Sequence, residues 1–141
     1  MKLRVLLLVL FLAACKGPDP ADPAADLNAM QGTWTLVSST YEGESQKPDM
    51  QWVVNGSQYQ IRYNQVLDNT PVRFTLDGGQ KHIDGIHHET PAGTIGGKIK
   101  GIYKLSGNSL TVCLDLTEAH YPSSFAAPRG SRQVVYEFRR Q

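Results

Sequence analysis

Cysteine is scarce in this chain. Its 141 residues hold two, Cys15 and Cys113, too few for the disulfide framework that staples small exported domains. No apolar run approaches the roughly 20 residues that cross a hydrocarbon core; the longest starts at Val5 and reaches only Cys15. An excess of one charge is missing too. Fourteen Lys and Arg against 13 Asp and Glu leave a formal net charge of +1, which offers no electrostatic basis for a nucleic-acid partner. There is no Gly-x-Ser-x-Gly elbow, no Cys–His pair at an established spacing and no phosphate-cradling glycine loop followed by a helix. Gly93-Thr94-Ile95-Gly96-Gly97 is glycine-rich, but no helix follows to lend its dipole. Sustained helical periodicity is absent as well. What is left is a small β domain that its own core must hold together, with no catalytic motif.

What is present begins at the N-terminus. Lys2 and Arg4 form a charged region, Val5 to Leu12 an apolar one, and Leu12-Ala13-Ala14-Cys15 closes the segment. This is the layout of a secretory signal peptide, and its end resembles the bacterial lipobox. The resemblance implies that residues 1–14 are removed, that the Cys15 thiol carries diacylglycerol and that the new amine is acylated. The expected protein is therefore a lipid-anchored lipoprotein of the bacterial cell envelope. Lys16, rather than an acidic residue, follows the cysteine, which in such lipoproteins goes with export to the outer membrane. Loss of Lys2 and Arg4 shifts the formal charge from +1 to −1. Residues 15–26 then form a lipidated tether. Lys16 to Ala25 contains three prolines and no large apolar residue, a composition that favours extended geometry at about 3.1 Å per residue.

From residue 27 to 141 the chain reads as one domain. A short helical turn over 27–31 precedes Gly32, after which apolar residues recur at period two and turn signals punctuate every 8–12 residues, the pattern of an all-β barrel or sandwich. Strands are expected over 33–41, 50–54, 59–63, 72–76, 81–86, 99–105, 110–116 and 132–139. Asn55-Gly56 is the strongest hairpin signal, and Ser106-Gly107-Asn108 marks another turn. Eight strands with short links suit an up-and-down barrel, which also removes the unpaired edges of an open sheet. Alternation places Trp34, Leu36, Trp52, Val54, Tyr59, Ile61, Tyr63, Phe74, Tyr103, Leu110, Val112, Leu114, Tyr136 and Phe138 inside. Cys113, within the apolar run 110–114, reads as a packed, unreactive thiol.

Gln31-Gly32-Thr33-Trp34 opens the first strand as lipocalins and related calycin barrels do. Further on come Ile83-Asp84, the block Gly101-Ile102-Tyr103-Lys104-Leu105-Ser106-Gly107-Asn108-Ser109-Leu110-Thr111-Val112-Cys113, then Tyr121-Pro122, Phe125, Gly130-Ser131 and Arg139-Arg140. In that order and spacing, over about residues 30–140, they resemble a small lipocalin-like domain family abundant in planctomycete-type bacteria. Asn108 stands for that pattern's usual Asp, Val112 for its Leu and Tyr121 for its Arg, so no anion-binding role is carried over to position 121. The resemblance implies an eight-stranded lipocalin-like barrel and supplies no activity of its own. It also implies a structural closure in which Trp34 lies under a last-strand arginine; strand parity with Val134, Tyr136 and Phe138 makes that Arg140.

Candidate chemistry is thin. His82, His87, His88 and His120 include the commonest metal-ligand type, but adjacent His87 and His88 on a strand point to opposite faces. They read as solvated loop histidines, and no metal or other cofactor is expected. Asp84 with Glu89, or Asp115 with Glu118, have the spacing of ordinary surface carboxylates, so the protein is expected not to be an enzyme. Binding remains. The longest links, 85–97 and 118–130, follow the fifth and seventh strands and so fall at one barrel end. Any ligand or partner is expected to contact His87, His88, Tyr121 or Phe125 at that mouth. The leading expectation is a non-catalytic barrel for a small apolar or amphiphilic ligand. The alternative is a protein–protein module acting as inhibitor, immunity factor or assembly accessory in the envelope. The anchor is testable directly: Cys15→Ser should abolish lipidation and release the protein from membranes washed in high salt, and retention of the variant on them would refute a lipid anchor.

Overall fold

Period-two alternation becomes a closed barrel in a computed structural model, which describes residues 22–86, 89–90, 93–94 and 98–141. Among the described residues one helix, α1 (Pro23–Met30), comes first. The Asp22 side chain caps it by accepting from the Ala24 N–H at 2.9 Å, and Pro23 occupies the first helical turn, where a missing N–H costs nothing. The helix thus begins four residues before the turn expected over 27–31. Asp22-Pro23, which reads as tether by composition, is its start signal. Residues 1–21, Cys15 among them, lie outside the described residues, as do His87 and His88.

Eight antiparallel strands follow: β1 (Gly32–Tyr41), β2 (Met50–Asn55), β3 (Gln58–Tyr63), β4 (Val72–Asp77), β5 (His82–Ile86), β6 (Lys98–Ser106), β7 (Ser109–Asp115) and β8 (Gln133–Arg140). Each pairs with the next, and β8 pairs back onto β1 from Trp34↔Arg140 to Tyr41↔Val134. The fold is the expected all-β, eight-stranded, up-and-down barrel. Pairing β8 with β1 removes the two edges that an open sheet would leave. The shortest ladder is β3–β4, with Gln58↔Arg73 and Tyr59↔Val72 alone in register. Beyond it β3 pairs instead with the short strand Val66–Leu67. Another short strand, Glu44–Gln46, lies along the end of β1.

Tight turns set the register. Asn55 pairs with Gln58 and Ser106 with Ser109, leaving two-residue loops that open with Gly56 (φ +60°) and Gly107 (φ +55°). A left-handed first loop residue is the type II′ geometry whose twist matches the flanking strands. The β2–β3 turn therefore starts one residue later than an Asn-Gly type I′ turn would. In β1 a bulge between Leu36 and Ser38 shifts the register, so the inward face passes from Trp34 and Leu36 to residues of opposite parity. Val37, outward by alternation with inward Leu36, stands 40 % exposed.

The interior is filled from the end where β1 begins. Trp34, Leu36, Trp52, Val54, Tyr59, Phe74, Tyr103, Leu110, Val112, Leu114 and Phe138 all join one buried cluster, with Ile61 and Tyr136 packed against it. Met30, Met50, Val72, Ile83 and Val134 belong to it as well. Tyr63 is the inward residue that does not fit the expectation: at the end of β3 it is 46 % exposed.

A second, smaller cluster sits on the outer wall. Cys113, Ala127 and Val135 are buried there against Ile102. Ile102, Cys113 and Val135 point away from the barrel and would be wet but for the β7–β8 link, residues 116–132, which folds back over them. Gly101 lies on the same two strands, at their closest approach. A Cβ there would meet Leu114 Cδ2 at 2.6 Å, the Cys113 carbonyl oxygen at 2.7 Å and Ile83 Cγ2 at 3.0 Å. A side chain can rotate away, but a backbone carbonyl in a ladder cannot. Gly101→Ala should therefore destabilise by about 1–3 kcal/mol, the usual cost of overpacking, read as a lower denaturation midpoint at unchanged m; an unaltered midpoint would show that β6 and β7 can separate freely.

Candidate functional site

Each end of the barrel has its own chemistry. At the closed end Gly32 takes φ +110°, turning the chain from α1 into β1 and setting Trp34 fully buried beneath the helix. The indole N–H donates to the Met30 carbonyl at 2.8 Å. The Arg140 guanidinium lies 4.2 Å from the Trp34 ring centroid and donates to the carbonyls of Gln31 (2.6 Å) and Ala29 (2.5 Å), which satisfies helix-end acceptors. The Gln31 side chain accepts from the Gly56 N–H at 2.7 Å and donates to the Gly56 carbonyl at 3.0 Å, clipping the helix end to the β2–β3 turn. On the other flank of α1, Asp26 pairs with Lys81 at 2.6 Å and accepts from the Tyr103 hydroxyl. Burial first, and the Asp26 bond second, push the Tyr103 phenol well above its ordinary value. Every polar group described here has a partner. This end is a closure with no room for chemistry.

Directly across the sheet from Trp34 the interior becomes aromatic and less satisfied. Trp52 stacks on Tyr59 with centroids 4.2 Å apart and 11° between planes, and meets Phe138 at 4.8 Å and Tyr136 at 5.9 Å. The Trp52 indole N–H is buried and has no hydrogen-bond partner. Tyr59 is pushed well above the ordinary phenol value by burial and then by neighbouring Tyr136; Tyr136 is pushed up to about 12 by burial and then by Tyr63. Along β3, Tyr59 stands opposite Val54 near the closed end, and Tyr63 stands opposite Met50 at the rim, where it is half exposed. Ser39 of β1 stands opposite Tyr136. The arrangement offers apolar ring faces, phenol hydroxyls and one deep unmet donor.

Two of the four residues expected at this mouth, Tyr121 and Phe125, are elsewhere. The Tyr121 hydroxyl donates to the Asp84 carboxylate, with both oxygens at 2.8 Å. Its ring stacks on His82 at 3.7 Å and lies 5.4 Å from the Lys100 ammonium. Asp84 lies between inward Ile83 and Gly85 and so faces outward, which puts Tyr121 on the outer wall. Phe125 borders an outer-wall groove. The correction has a physical cause: apolar Ile102, Cys113 and Val135 on the outer face draw the link down over them, away from the rim. The sequence signal was the apolar run at both parities in 110–114, which marks a strand covered on both faces. His87 and His88 lie outside the described residues.

The groove has a volume of about 450 Å³ and is bordered by Gln80, Lys81 and His82 from the start of β5, residues 102–105 of β6, and Pro122, Ser123 and Phe125 of the link. Cys113 beside it is buried, donates to the Ala126 carbonyl at 3.7 Å, and has its thiol pushed up by burial, the opposite of an activated nucleophile. Burial also raises Asp115, but hydrogen bonds from the Thr117 hydroxyl and backbone, and from the His120 backbone, outweigh it and hold the carboxyl below the usual range. That suits a turn-capping carboxylate. Among the described residues no three His, Cys, Asp or Glu side chains converge on a metal position, and no helix is long and apolar enough to cross a membrane.

No family model, curated protein or solved structure matches this chain. The closure at least can be weighed by mutation. Trp34→Ala should destabilise by roughly 3–5 kcal/mol, as for other buried large aromatics, and Arg140→Ala by about 1–3 kcal/mol, since it removes both a cation–π contact and charged hydrogen bonds. A double-mutant cycle should show coupling above about 0.5 kcal/mol; strict additivity would separate the two residues energetically.

Proposed function

We propose that this chain is a bacterial envelope lipoprotein, held on the outer membrane through Cys15, whose barrel binds a small apolar or amphiphilic ligand without catalysis. The observation that carries this reading is the Trp52 indole N–H, buried and unpartnered inside a ring-lined interior. Leaving such a donor unmet costs about 1–3 kcal/mol, and native proteins retain one where a water or ligand meets it. Eight-stranded barrels have interiors of the size that side chains or one small ligand can fill. Between that donor and the rim stands Tyr136, 5.9 Å from the Trp52 ring, with half-exposed Tyr63 at the rim itself. A ligand suited to this interior has a flat or flexible apolar body and a hydrogen-bond acceptor at its buried end. The resemblance of the Gln31-to-Trp34 opening and the 101–113 block to lipocalin-like domains supports the barrel architecture that this role needs, not the role itself.

A second reading is a protein–protein module. The short strand Val66–Leu67 favours it: β3 is its one strand partner among the described residues, with Val66 71 % exposed. Such an edge suits strand addition by a partner.

Binding of prodan, a neutral naphthalene dye with a carbonyl acceptor, separates the two. The full chain should shift the dye's emission to the blue. Trp52→Phe should weaken the dye about tenfold, equivalent to 1.4 kcal/mol, while stability holds or rises because an unmet donor has been removed. Tyr63→Ala should weaken binding as well. Equal affinity in all three proteins would exclude the mouth as a ligand site and leave the edge-strand reading.

A further inference from the structure

The groove on the outer wall stands apart from the barrel interior, and nothing in the ligand reading above uses it. Its volume of about 450 Å³ falls within the range of small-molecule sites. Its walls are held on both sides. One side is the framework of β5 and β6. The other is the link, pinned on one side of Phe125 by the Tyr121 bond to Asp84 and the stack on His82. Beyond Phe125 the link is pinned by buried Ala127, whose carbonyl accepts from the Gly43 N–H at 2.7 Å. Between these points Phe125 remains 41 % exposed, although apolar Ile102 and Pro122 border the same space. A phenyl ring left open above a rigid apolar floor is a surface prepared for an apolar partner.

The polar border is one-sided in charge. Gln80, Lys81, His82 and Lys104 contribute it, and no carboxylate lines the groove. Lys81 is engaged by Asp26. Lys104, exposed on β6, has no carboxylate partner among the described residues. An apolar floor beside an unengaged ammonium complements a molecule with one anionic group on an apolar body. We propose that this groove binds a small free amphiphile of that class, a medium-chain or aromatic carboxylate, with its body over Ile102, Pro122 and Phe125 and its carboxylate on Lys104. The site is separate from the barrel mouth and does not rest on the reading proposed for it.

The test is calorimetric titration of the full chain with dodecanoate and with dodecanol, which share a chain and differ in charge. Dodecanoate should bind at least about tenfold more tightly than dodecanol, and Lys104→Glu should remove about that factor. Phe125→Ser should weaken both, while Trp52→Phe in the barrel interior should leave the groove's affinity unchanged. Both groove positions are exposed, so the variants should keep the parent's thermal midpoint. A spin-labelled carboxylate should broaden the amide resonances of Ser123, Phe125 and Ile102. Indifference to Lys104→Glu, equal binding of the alcohol, or broadening confined to Tyr63 and Tyr136 would overturn the proposal. So would a dimer that Phe125→Ser dissociates in the absence of any dodecanoate binding.

Discussion

The antiparallel pairing of the last strand with the first is the constraint on which the rest of the molecule depends. It joins the ends of the chain, and Trp34 and Arg140 face each other in its register. Arg140 then reaches past the sheet to the helix, where its guanidinium covers the Trp34 ring and takes up the carbonyls of Ala29 and Gln31. One residue therefore ties β8 to both β1 and α1. Without the pairing, β1 and β8 would present open edges and the buried cluster would lose its closing wall. The unmet Trp52 indole N–H lies at the same level, on the strand directly opposite Trp34.

A second consequence concerns the outer wall. A barrel of this size normally keeps apolar residues inside and polar residues outside. Here β7 places Cys113 outside and Leu114 inside, and both are buried. The β7–β8 link covers the outer position, and the Tyr121–Asp84 bond and the His82 stack hold it there. The wall thereby becomes two layers thick on one side, and the groove is the space the two layers fail to fill. Interior and outer wall thus offer different surfaces: aromatic and neutral within, apolar with a cationic edge without.

Much of the fold was legible in the residues. Period-two alternation in β3, β4 and β8 located the strands and their inward faces, because one side of each strand is packed and the other wet. The opening Gln31-Gly32-Thr33-Trp34 carries the closure in four positions: a clip to the β2–β3 turn, a left-handed backbone, a strand start and the buried indole. Other features depend on distant contacts that local pattern does not carry. The start of α1 was hidden because Pro23 belongs equally well to a tether and to a helix's first turn. The bulge after Leu36 was hidden because nothing local marks it: Val37 faces outward by ordinary alternation, and only the β8 register shows that parity changes beyond it. Tyr121 and Phe125 were placed at the rim because links follow strand ends; their true position required knowing that Ile102, Cys113 and Val135 share an outer face. The unmet donor on Trp52 has no sequence signature, since it is defined by the partners around it.

The account's central claim is that this barrel carries a small molecule. Native mass spectrometry of the full chain isolated from its native host in mild detergent tests it most directly, after the mass of any covalent modification has been assigned on the denatured protein. The account predicts a noncovalent small-molecule adduct that is lost on unfolding and much reduced in Trp52→Phe. A native mass equal to that of the bare, covalently processed chain, or one explained only by a bound protein, would contradict it.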